Sequence, residues 1–284
     1  MMKTAVLAAG FALLASGVAA RQAPAFDTHV HLHRGAVSAD AYEAQVKADQ
    51  GAVGGYAAMW FGGPNQARAG KPEAIRAGND GVIALAAARP GVLPVASVHP
   101  YDGEAALAEL ERVAGLGVKV LKIHPHTQGF EQSDPRVLTL ARRAGDLGVI
   151  VLMDNANILP GDSEKLFNLA LAAPKTKFIF AHMGAMNFRF WNVLKAARTA
   201  ENLFGDNIYF DISATVAMVA DSPIEDEFVW TIRNVGVDQV LLGSDYPQYS
   251  LAQNVEALER LDLTEAEKAK IRSENARKLF GAQP

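Results

Sequence analysis

The chain alternates short apolar runs with longer amphipathic stretches, and this alternation repeats eight times. The runs are rich in β-branched or aromatic residues, as buried strands are, and the stretches between them carry apolar residues at helical spacing. Near-continuous apolar strands separated by helices predict a parallel sheet that is covered on both faces. The predicted strands are Ala25–His31, Val53–Phe61, Val92–His99, Val118–His124, Val149–Asp154, Lys177–His182, Ile208–Ser213 and Val240–Asp245.

The number of repeats predicts how the sheet is arranged. Eight strand–helix units in roughly 250 residues are typical of a closed (β/α)8 barrel. The alternative is an open doubly wound sheet, which usually carries a glycine-rich phosphate loop after its first strand. His29 and His31 occupy that position here. We therefore expect an α/β protein with a single (β/α)8 TIM barrel, formed by residues 21–284.

Capping residues predict where three of the helices begin. Asp102 is expected to cap the helix that contains AALAELERVAG, because its side chain can accept hydrogen bonds from free backbone N–H groups. Asp134 followed by Pro135 combines a cap with a proline at the first helical position. Thr264 and Glu267 have the spacing of a capping box at the start of the last helix.

The first twenty residues have the pattern of a signal peptide. Lys3 precedes an uncharged run that ends in small residues, with Val18 and Ala20 where a signal peptidase reads them, before Arg21. A membrane anchor is the alternative, but the run is shorter than the ~20 residues that span a bilayer. We expect residues 1–20 to be removed, which leaves a periplasmic or secreted protein with no membrane contact.

Charge and cysteine content exclude several classes of function. The chain has 27 basic and 31 acidic residues, so its net charge is 27 − 31 = −4. Nucleic-acid binding needs a basic surface, which this balance does not support. The absence of cysteine excludes disulfides, thiolate metal sites and cysteine nucleophiles. A small-molecule substrate is the partner that remains.

The histidines lie where a barrel places its active site. Each falls at or just beyond the carboxyl end of a predicted strand, and active sites of such barrels are built at that end. His29 and His31 share one face of the first strand, and neutral imidazole is the commonest metal ligand. Taken alone, the pair has an alternative interpretation as two packed or hydrogen-bonded histidines. The seven are His29, His31, His33, His99, His124, His126 and His182.

Six segments carry a resemblance to a known family: FDTHVHLH, VLKIHPHTQGFEQSDPR, FIFAHMG, YFDIS, LLGSDYP and ENARKLFG. In this order they resemble the amidohydrolase-related family (amidohydrolase 2) of metal-dependent barrel hydrolases and decarboxylases. The similarity runs from Ala25 to Gly281. It implies one divalent metal ion, usually zinc, held by His29, His31 and Asp245, with His182 acting in catalysis. It also allows a homodimer.

The fifth strand departs from the family pattern, because Asp154 stands where the family has a histidine ligand. A carboxylate also binds divalent ions, so one hypothesis is a site of His29, His31, Asp154 and Asp245. Its second negative charge would favour harder ions such as manganese, iron or magnesium. The competing hypothesis is a weak or absent metal, as in lactonases of the family that work without one.

Further side chains at the same end of the barrel are candidates for substrate binding. Lys122 and His124 share the inward face of the fourth strand, and the resemblance favours an ordinary ammonium at Lys122 over a carboxylated, metal-bridging lysine. Arg189 could hold a substrate carboxylate by a bidentate pair, or be an exposed arginine at a helix start. Asp27 lies deeper and suits a supporting role. The candidates are His99, Lys122, His124, His126, Arg189 and Ser213.

The favoured prediction of function is hydrolysis of a small ester, lactone or amide by metal-activated water. Asp245 would take the proton of the water and pass it to the leaving group. His182 would polarise the carbonyl or stabilise the oxyanion. The alternatives are a non-oxidative decarboxylase that uses the same metal, a metal-independent lactonase, and a catalytically silent binding protein. The presence of His182 and Asp245 counts against a silent binding protein, because binding alone needs neither.

Overall fold

A computed structural model describes residues 23–281, which contain eight parallel strands hydrogen-bonded in chain order. This arrangement confirms the predicted (β/α)8 barrel. The predicted signal peptide lies outside the described residues. The strands are β1 (Ala25–His31), β2 (Val53–Met59), β3 (Val92–Ser97), β4 (Val120–Ile123), β5 (Ile150–Met153), β6 (Phe178–Phe180), β7 (Ile208–Asp211) and β8 (Val240–Leu241).

Helices follow the strands and surround the barrel. No helix among residues 23–281 is long and apolar enough to cross a membrane. Short 3-10 segments and one π-helical turn (Lys270–Glu274) complete the connections. The helices are α1 (Ala36–Ala48), α2 (Pro72–Ala88), α3 (Glu104–Gly115), α4 (Pro125–Gln128), α5 (Pro135–Asp146), α6 (Asp162–Ala172), α7 (Val193–Ala197), α8 (Thr215–Val219), α9 (Glu225–Val235), α10 (Leu251–Arg260), α11 (Glu265–Ala269) and α12 (Asn275–Phe280).

The barrel closes because the chain beyond β8 hydrogen-bonds with β1. The backbone N–H of Thr28 donates to Leu242 O at 3.0 Å, and that of Asp245 donates to His29 O at 2.9 Å. The His31 N–H donates to Tyr246 O, also at 2.9 Å. These bonds join Asp245 directly to the strand that carries His29 and His31.

Apolar side chains fill the barrel below its carboxyl end. Inward residues of successive strands form one buried cluster, among them Val95, Val120 and Leu152. Phe26 of β1 packs against Phe280 of α12, with ring centroids 5.6 Å apart, at the opposite end. Because the interior is packed, as in other barrels of this type, the polar groups at the carboxyl end stand on an apolar floor.

Most strands end earlier than the sequence predicts, since the last predicted residues leave the ladder and form the mouth. Two of the three predicted caps are confirmed: Asp134 accepts a hydrogen bond from Arg136 N, and Thr264 forms a capping box with Glu267. The Asp102 prediction is wrong. Gly103 precedes α3 instead, and the Asp102 carboxylate accepts a hydrogen bond from Gly70 N at 2.6 Å.

Candidate active site

The carboxyl ends of the strands surround a cavity of about 300 Å³. This volume lies at the lower end of the range for small-molecule sites, roughly 300–1,000 Å³, so it suits a ligand of about one ring. Five of the seven histidines line it. The lining residues are His29, His31, His33, Phe61, Gly62, Gly63, Gln66, Lys122, His124, Thr127, Asp154, His182, Asp245, Pro247 and Gln248.

Three metal-ligand atoms converge on the side of the cavity formed by β1 and the end of β8. His29 Nε2 and His31 Nε2 are 3.2 Å apart, and each is 3.5 Å from Asp245 Oδ1. His29, His31 and Asp245 form a group of donors that could hold a metal ion. We call this group the donor triad.

Hydrogen bonds at the far ring nitrogens set the protonation of both triad histidines. His29 Nδ1 lies 3.1 Å from Asp211 Oδ2, and His31 Nδ1 lies 2.6 Å from the Phe61 carbonyl oxygen. Because both partners are acceptors, each Nδ1 carries the proton and each Nε2 presents a lone pair. Burial and the charge of Lys122 lower the pKa of His29 to about 4 despite Asp211, which keeps that ring neutral.

The donor triad fits a divalent metal ion. Tetrahedral coordination with bonds of about 2.0–2.2 Å places ligand atoms about 3.4 Å apart, close to the separations in the triad. The two imidazole lone pairs that face each other at 3.2 Å would repel without a cation between them. Two neutral imidazoles and one carboxylate are also a donor set typical of zinc, iron or manganese.

The neighbouring part of the wall holds a carboxylate between two imidazoles. Asp154 Oδ1 lies 3.4 Å from His182 Nε2 and 3.5 Å from His124 Nε2. His182 Nδ1 faces the Ser213 carbonyl oxygen at 3.0 Å. Since both ring nitrogens of His182 face acceptors, the geometry favours the doubly protonated imidazolium. We call Asp154 and His182 the acid pair.

Electrostatics agree with this protonation. Burial by itself would lower the pKa of His182, but the hydrogen bond and charge of Asp154 outweigh it and raise that pKa to about 9. Burial would raise the pKa of Asp154, yet His182 and His124 hold it well below its usual range. The imidazole ring of His182 stacks on that of His29, with centroids 5.1 Å apart, so a protonated ring adjoins the donor triad.

An unusual backbone directs two of these side chains. His182 has φ 61° and Asp245 has φ 62°, in the left-handed region that non-glycine residues rarely adopt. Met183 and Ala185 share this region, so the segment after β6 is strained. Such strain clusters at functional sites, where surrounding structure holds it in place.

Asp211 is a site residue that the sequence analysis missed. Beyond its bond to His29, Asp211 Oδ1 accepts hydrogen bonds from Ser213 N at 3.0 Å and His182 N at 3.4 Å. It therefore connects the donor triad to the acid pair from below. The signal was present in the YFDIS segment, whose aspartate ends a buried strand.

Asp27 has a supporting position of a similar kind. Its carboxylate accepts from the backbone N–H groups of His29 and Ser244 at 3.1 and 2.8 Å, and from the Tyr42 hydroxyl at 2.8 Å. It thus ties the strand that carries the triad histidines to the chain after β8 and to helix α1.

The structure brings several predicted residues to the cavity. His29, His31 and Asp245 converge as expected, and Lys122 and His124 line the wall. Asp154 shares the cavity but lies outside the donor triad, because its carboxylate faces His182 and His124. A ligand role for Asp154 stays a prediction.

Four predicted substrate-binding residues do not reach the cavity wall. His99 is buried, with Nε2 bonded to Gln128 O at 2.9 Å. His126 pairs instead with Asp162 at 2.8 Å. Both imidazoles are held by local hydrogen bonds rather than presented to a ligand, and His126 lies in the one-turn helix α4.

Arg189 and Ser213 are the other two. Arg189 pairs with Glu227 and lies over the Phe188 ring, because the loop after β6 directs it outward. Ser213 is fully buried, and its hydroxyl lies 3.1 Å from His182 Nδ1 and 3.3 Å from His29 Nδ1. Ser213 therefore supports the two imidazoles from below the cavity.

Comparison with protein families identifies this arrangement. A family model described as amidohydrolase matches residues 26–282. The chain belongs to the amidohydrolase family. This confirms the resemblance carried by the six sequence segments. Curated proteins give no significant match to the chain.

Solved structures of similar fold include decarboxylases. A 2,6-dihydroxybenzoate decarboxylase in complex with 2,6-dihydroxybenzoate is 18% identical, with 91% of this chain and 99% of that chain covered and a TM-score of 0.69. A dihydroxybenzoic acid decarboxylase from a Polaromonas species, with bound manganese and 2-nitroresorcinol, is 16% identical (coverage 91% and 97%, TM-score 0.68).

Hydrolases are also among the similar structures. A candidate 2-pyrone-4,6-dicarboxylic acid hydrolase from Pseudomonas putida is 16% identical, with 91% of this chain and 97% of that chain covered and a TM-score of 0.62. At these identities the similarities establish the shared fold.

Proposed function

We propose that this amidohydrolase-family protein is a metal-dependent, non-oxidative decarboxylase of a small aromatic or enoic acid. The observation that carries the proposal is the contact between two differently protonated imidazoles. The neutral His29 of the donor triad stacks on the protonated His182 of the acid pair. Replacement of a carboxylate by hydrogen needs both a site for the acid and a proton donor beside it.

His29, His31 and Asp245 would hold a divalent ion, which would supply a Lewis acid for an acidic oxygen of the substrate. His182 Nε2 then supplies the proton that forms a new C–H bond at the carbon bearing the carboxylate. The bond between that carbon and the carboxylate breaks, its electron pair restores the double bond, and carbon dioxide leaves. Asp154 keeps His182 charged until transfer, and a proton from solvent restores the imidazolium.

The His182–Asp154 distance supports such a transfer. At 3.4 Å, Asp154 raises the pKa of His182 to about 9, so the proton is present on the nitrogen that lines the cavity. A substrate carbon in the cavity can compete for it. The similar decarboxylase structures, one with a dihydroxybenzoate and one with manganese, agree with this chemistry.

Hydrolysis of a lactone is the second candidate. Asp245 Oδ1 lies 3.5 Å from both triad nitrogens, where a carboxylate could accept a proton from water. The candidate pyrone dicarboxylate hydrolase among the similar structures agrees with this alternative. In this reaction His182 would polarise the carbonyl that water attacks.

The experiment uses manganese- or zinc-loaded protein with carboxyl-labelled 2,6-dihydroxybenzoate and 2-hydroxybenzoate. We expect labelled carbon dioxide and, in deuterium oxide, one deuterium at the vacated ring carbon. Ring opening of 2-pyrone-4,6-dicarboxylate with oxygen uptake from labelled water, and no carbon dioxide, would favour hydrolysis. No turnover of either class with either metal would overturn both candidates.

Two matched histidine variants test the proton donor. His182→Asn should abolish turnover while metal content is kept. His126→Asn removes the imidazole of a similar His–Asp pair outside the cavity, so it should leave turnover unchanged. Equal losses in both variants would contradict the role given to His182.

We also propose, from the sequence, that residues 1–20 are removed during export, so that residues 21–284 act in the periplasm or outside the cell. Amino-terminal sequencing of the exported protein tests this, with Arg21 expected as the first residue. An uncleaved chain in the cytoplasm would contradict it.

A further inference from the structure

Lys122 is a buried ammonium group in the cavity wall with no partner of its own. Its side chain is 1% exposed, and its inward position on β4 makes it part of the lining. Among residues 23–281 its amine donates no hydrogen bond and forms no ion pair. Burial lowers the pKa of this amine, and the charges of Asp154, Asp211 and Asp245 oppose that shift through space. Buried charges are normally paired, because removal from water is costly.

The position of Lys122 in the barrel separates it from the donor triad. The triad comes from β1 and the chain after β8, which adjoin where the barrel closes. Lys122 comes from β4, which is not a neighbour of β1 or β8 in the strand order, although its charge reaches His29 and Asp245 through space. The cavity lies between the two and is lined by both.

These observations give the cavity two separate positions for negative groups. One is the donor triad with its ion, and the other is the unpaired ammonium of Lys122. Burial lowers the pKa of His124 to about 4 against the opposing charge of Asp154, so this imidazole adds no second positive charge to that part of the wall.

We infer that Lys122 pairs with a second acidic group of the substrate, so that the cavity selects small acids with two ionised groups. The inference deepens the proposed function and rests on it in one respect, that the cavity binds an acid. A carboxylate or phenolate at the second position would receive a charged hydrogen bond from Nζ. A monoacid would leave the ammonium unpaired.

The experiment measures binding to the metal-loaded protein by calorimetry, with benzoate, isophthalate and terephthalate as probes. We expect at least one diacid to bind about tenfold or more tightly than benzoate, as a charged hydrogen bond in a buried site would give. Equal affinities for benzoate and both diacids would overturn the inference.

Three variants assign the effect to Lys122. Lys122→Met keeps the length of the side chain without its charge and should reduce diacid affinity to that of benzoate, both measured on the variant. Lys122→Arg should keep a preference for a diacid. Lys119→Met removes an exposed lysine from the same part of the chain and should change nothing. A diacid preference that survives in Lys122→Met would contradict the assignment.

The two proposals can fail separately. Diacid preference without carbon dioxide release from any acid would uphold the role of Lys122 and reject the decarboxylase. Carbon dioxide release with no diacid preference would uphold the decarboxylase and reject the role of Lys122. If Lys122→Met does not fold, the comparison of benzoate with the diacids on the unaltered protein still decides the selectivity.

Discussion

His29 and His182 stand side by side in one cavity, yet their environments give them opposite charge states. Both are buried, with exposed fractions of 1% and 8%, so burial disfavours the charged form of each. His29 directs one nitrogen to Asp211 and the other to His31 and Asp245. His182 directs one nitrogen to the Ser213 carbonyl oxygen and the other to Asp154. Burial acts on both rings, so the difference comes from the charge of Lys122, which lowers the pKa of His29, and from the hydrogen bond and charge of Asp154, which raise that of His182.

Loss of a triad imidazole should have the largest effect of the substitutions considered, because it should remove both the metal ion and turnover. In His31→Ala, metal content should fall from about one ion per chain to near zero, and turnover should be lost with it, since two donors hold an ion poorly. Elemental mass spectrometry on protein purified without chelator measures the first quantity. His126→Ala is the matched control. Full metal content in His31→Ala would show that the ion is held elsewhere.

Substitution of Asp154 tests whether the two parts of the cavity are distinct. We expect Asp154→Asn to retain its metal. Its rate of turnover should fall about 10²–10⁴-fold, the range typical of general acid catalysis, because His182 loses its charged partner. Metal analysis and steady-state kinetics are done on the same preparation. Loss of the ion would make Asp154 a fourth ligand and merge the acid pair with the triad.

Substitution of Asp211 should have a smaller effect on metal binding, because Asp211 acts on the ion only through His29. Asp211→Asn keeps the shape of the side chain but weakens the acceptor at His29 Nδ1. We expect metal affinity to fall about 10–100-fold, as for other carboxylates that orient a ligating histidine. Competition with a fluorescent chelator measures this affinity. Unchanged affinity would show that the Ser213 hydroxyl alone orients the ring.

Arg189→Ala should have the smallest effect. The guanidinium is paired with Glu227 outside the cavity, so KM and kcat should both stay within about twofold of the unaltered protein. Steady-state kinetics with whichever of the test compounds is turned over provide the test. A tenfold rise in KM would restore the substrate-binding role that the sequence suggested.

The alternation of apolar runs was enough to predict the barrel, and strand periodicity was enough to bring His29 and His31 to one face. The placement of Asp245 beside them followed from barrel closure. Asp154 was harder, because the sequence shows which residue ends β5 but not which neighbour its carboxylate faces. The left-handed backbone of His182 also has no simple sequence signal.

Local hydrogen bonds explain why three predicted substrate-binding residues do not line the cavity. His99, His126 and Arg189 come after strands, as site residues do, but each finds a partner within the protein: Gln128 O, Asp162 and Glu227. Position along the chain predicts which end of the barrel a residue occupies. It does not predict which way the side chain turns there.

The apolar floor of the barrel has a consequence for the order of events in a catalytic cycle. Side chains such as Val120 and Leu152, with Phe26 and Phe280 beyond them, fill the barrel toward its other end. We therefore expect substrate and products to use the same entrance, at the carboxyl ends of the strands. A bulky product would then delay the next substrate, so we expect product release, rather than bond breaking, to limit the rate at saturating substrate.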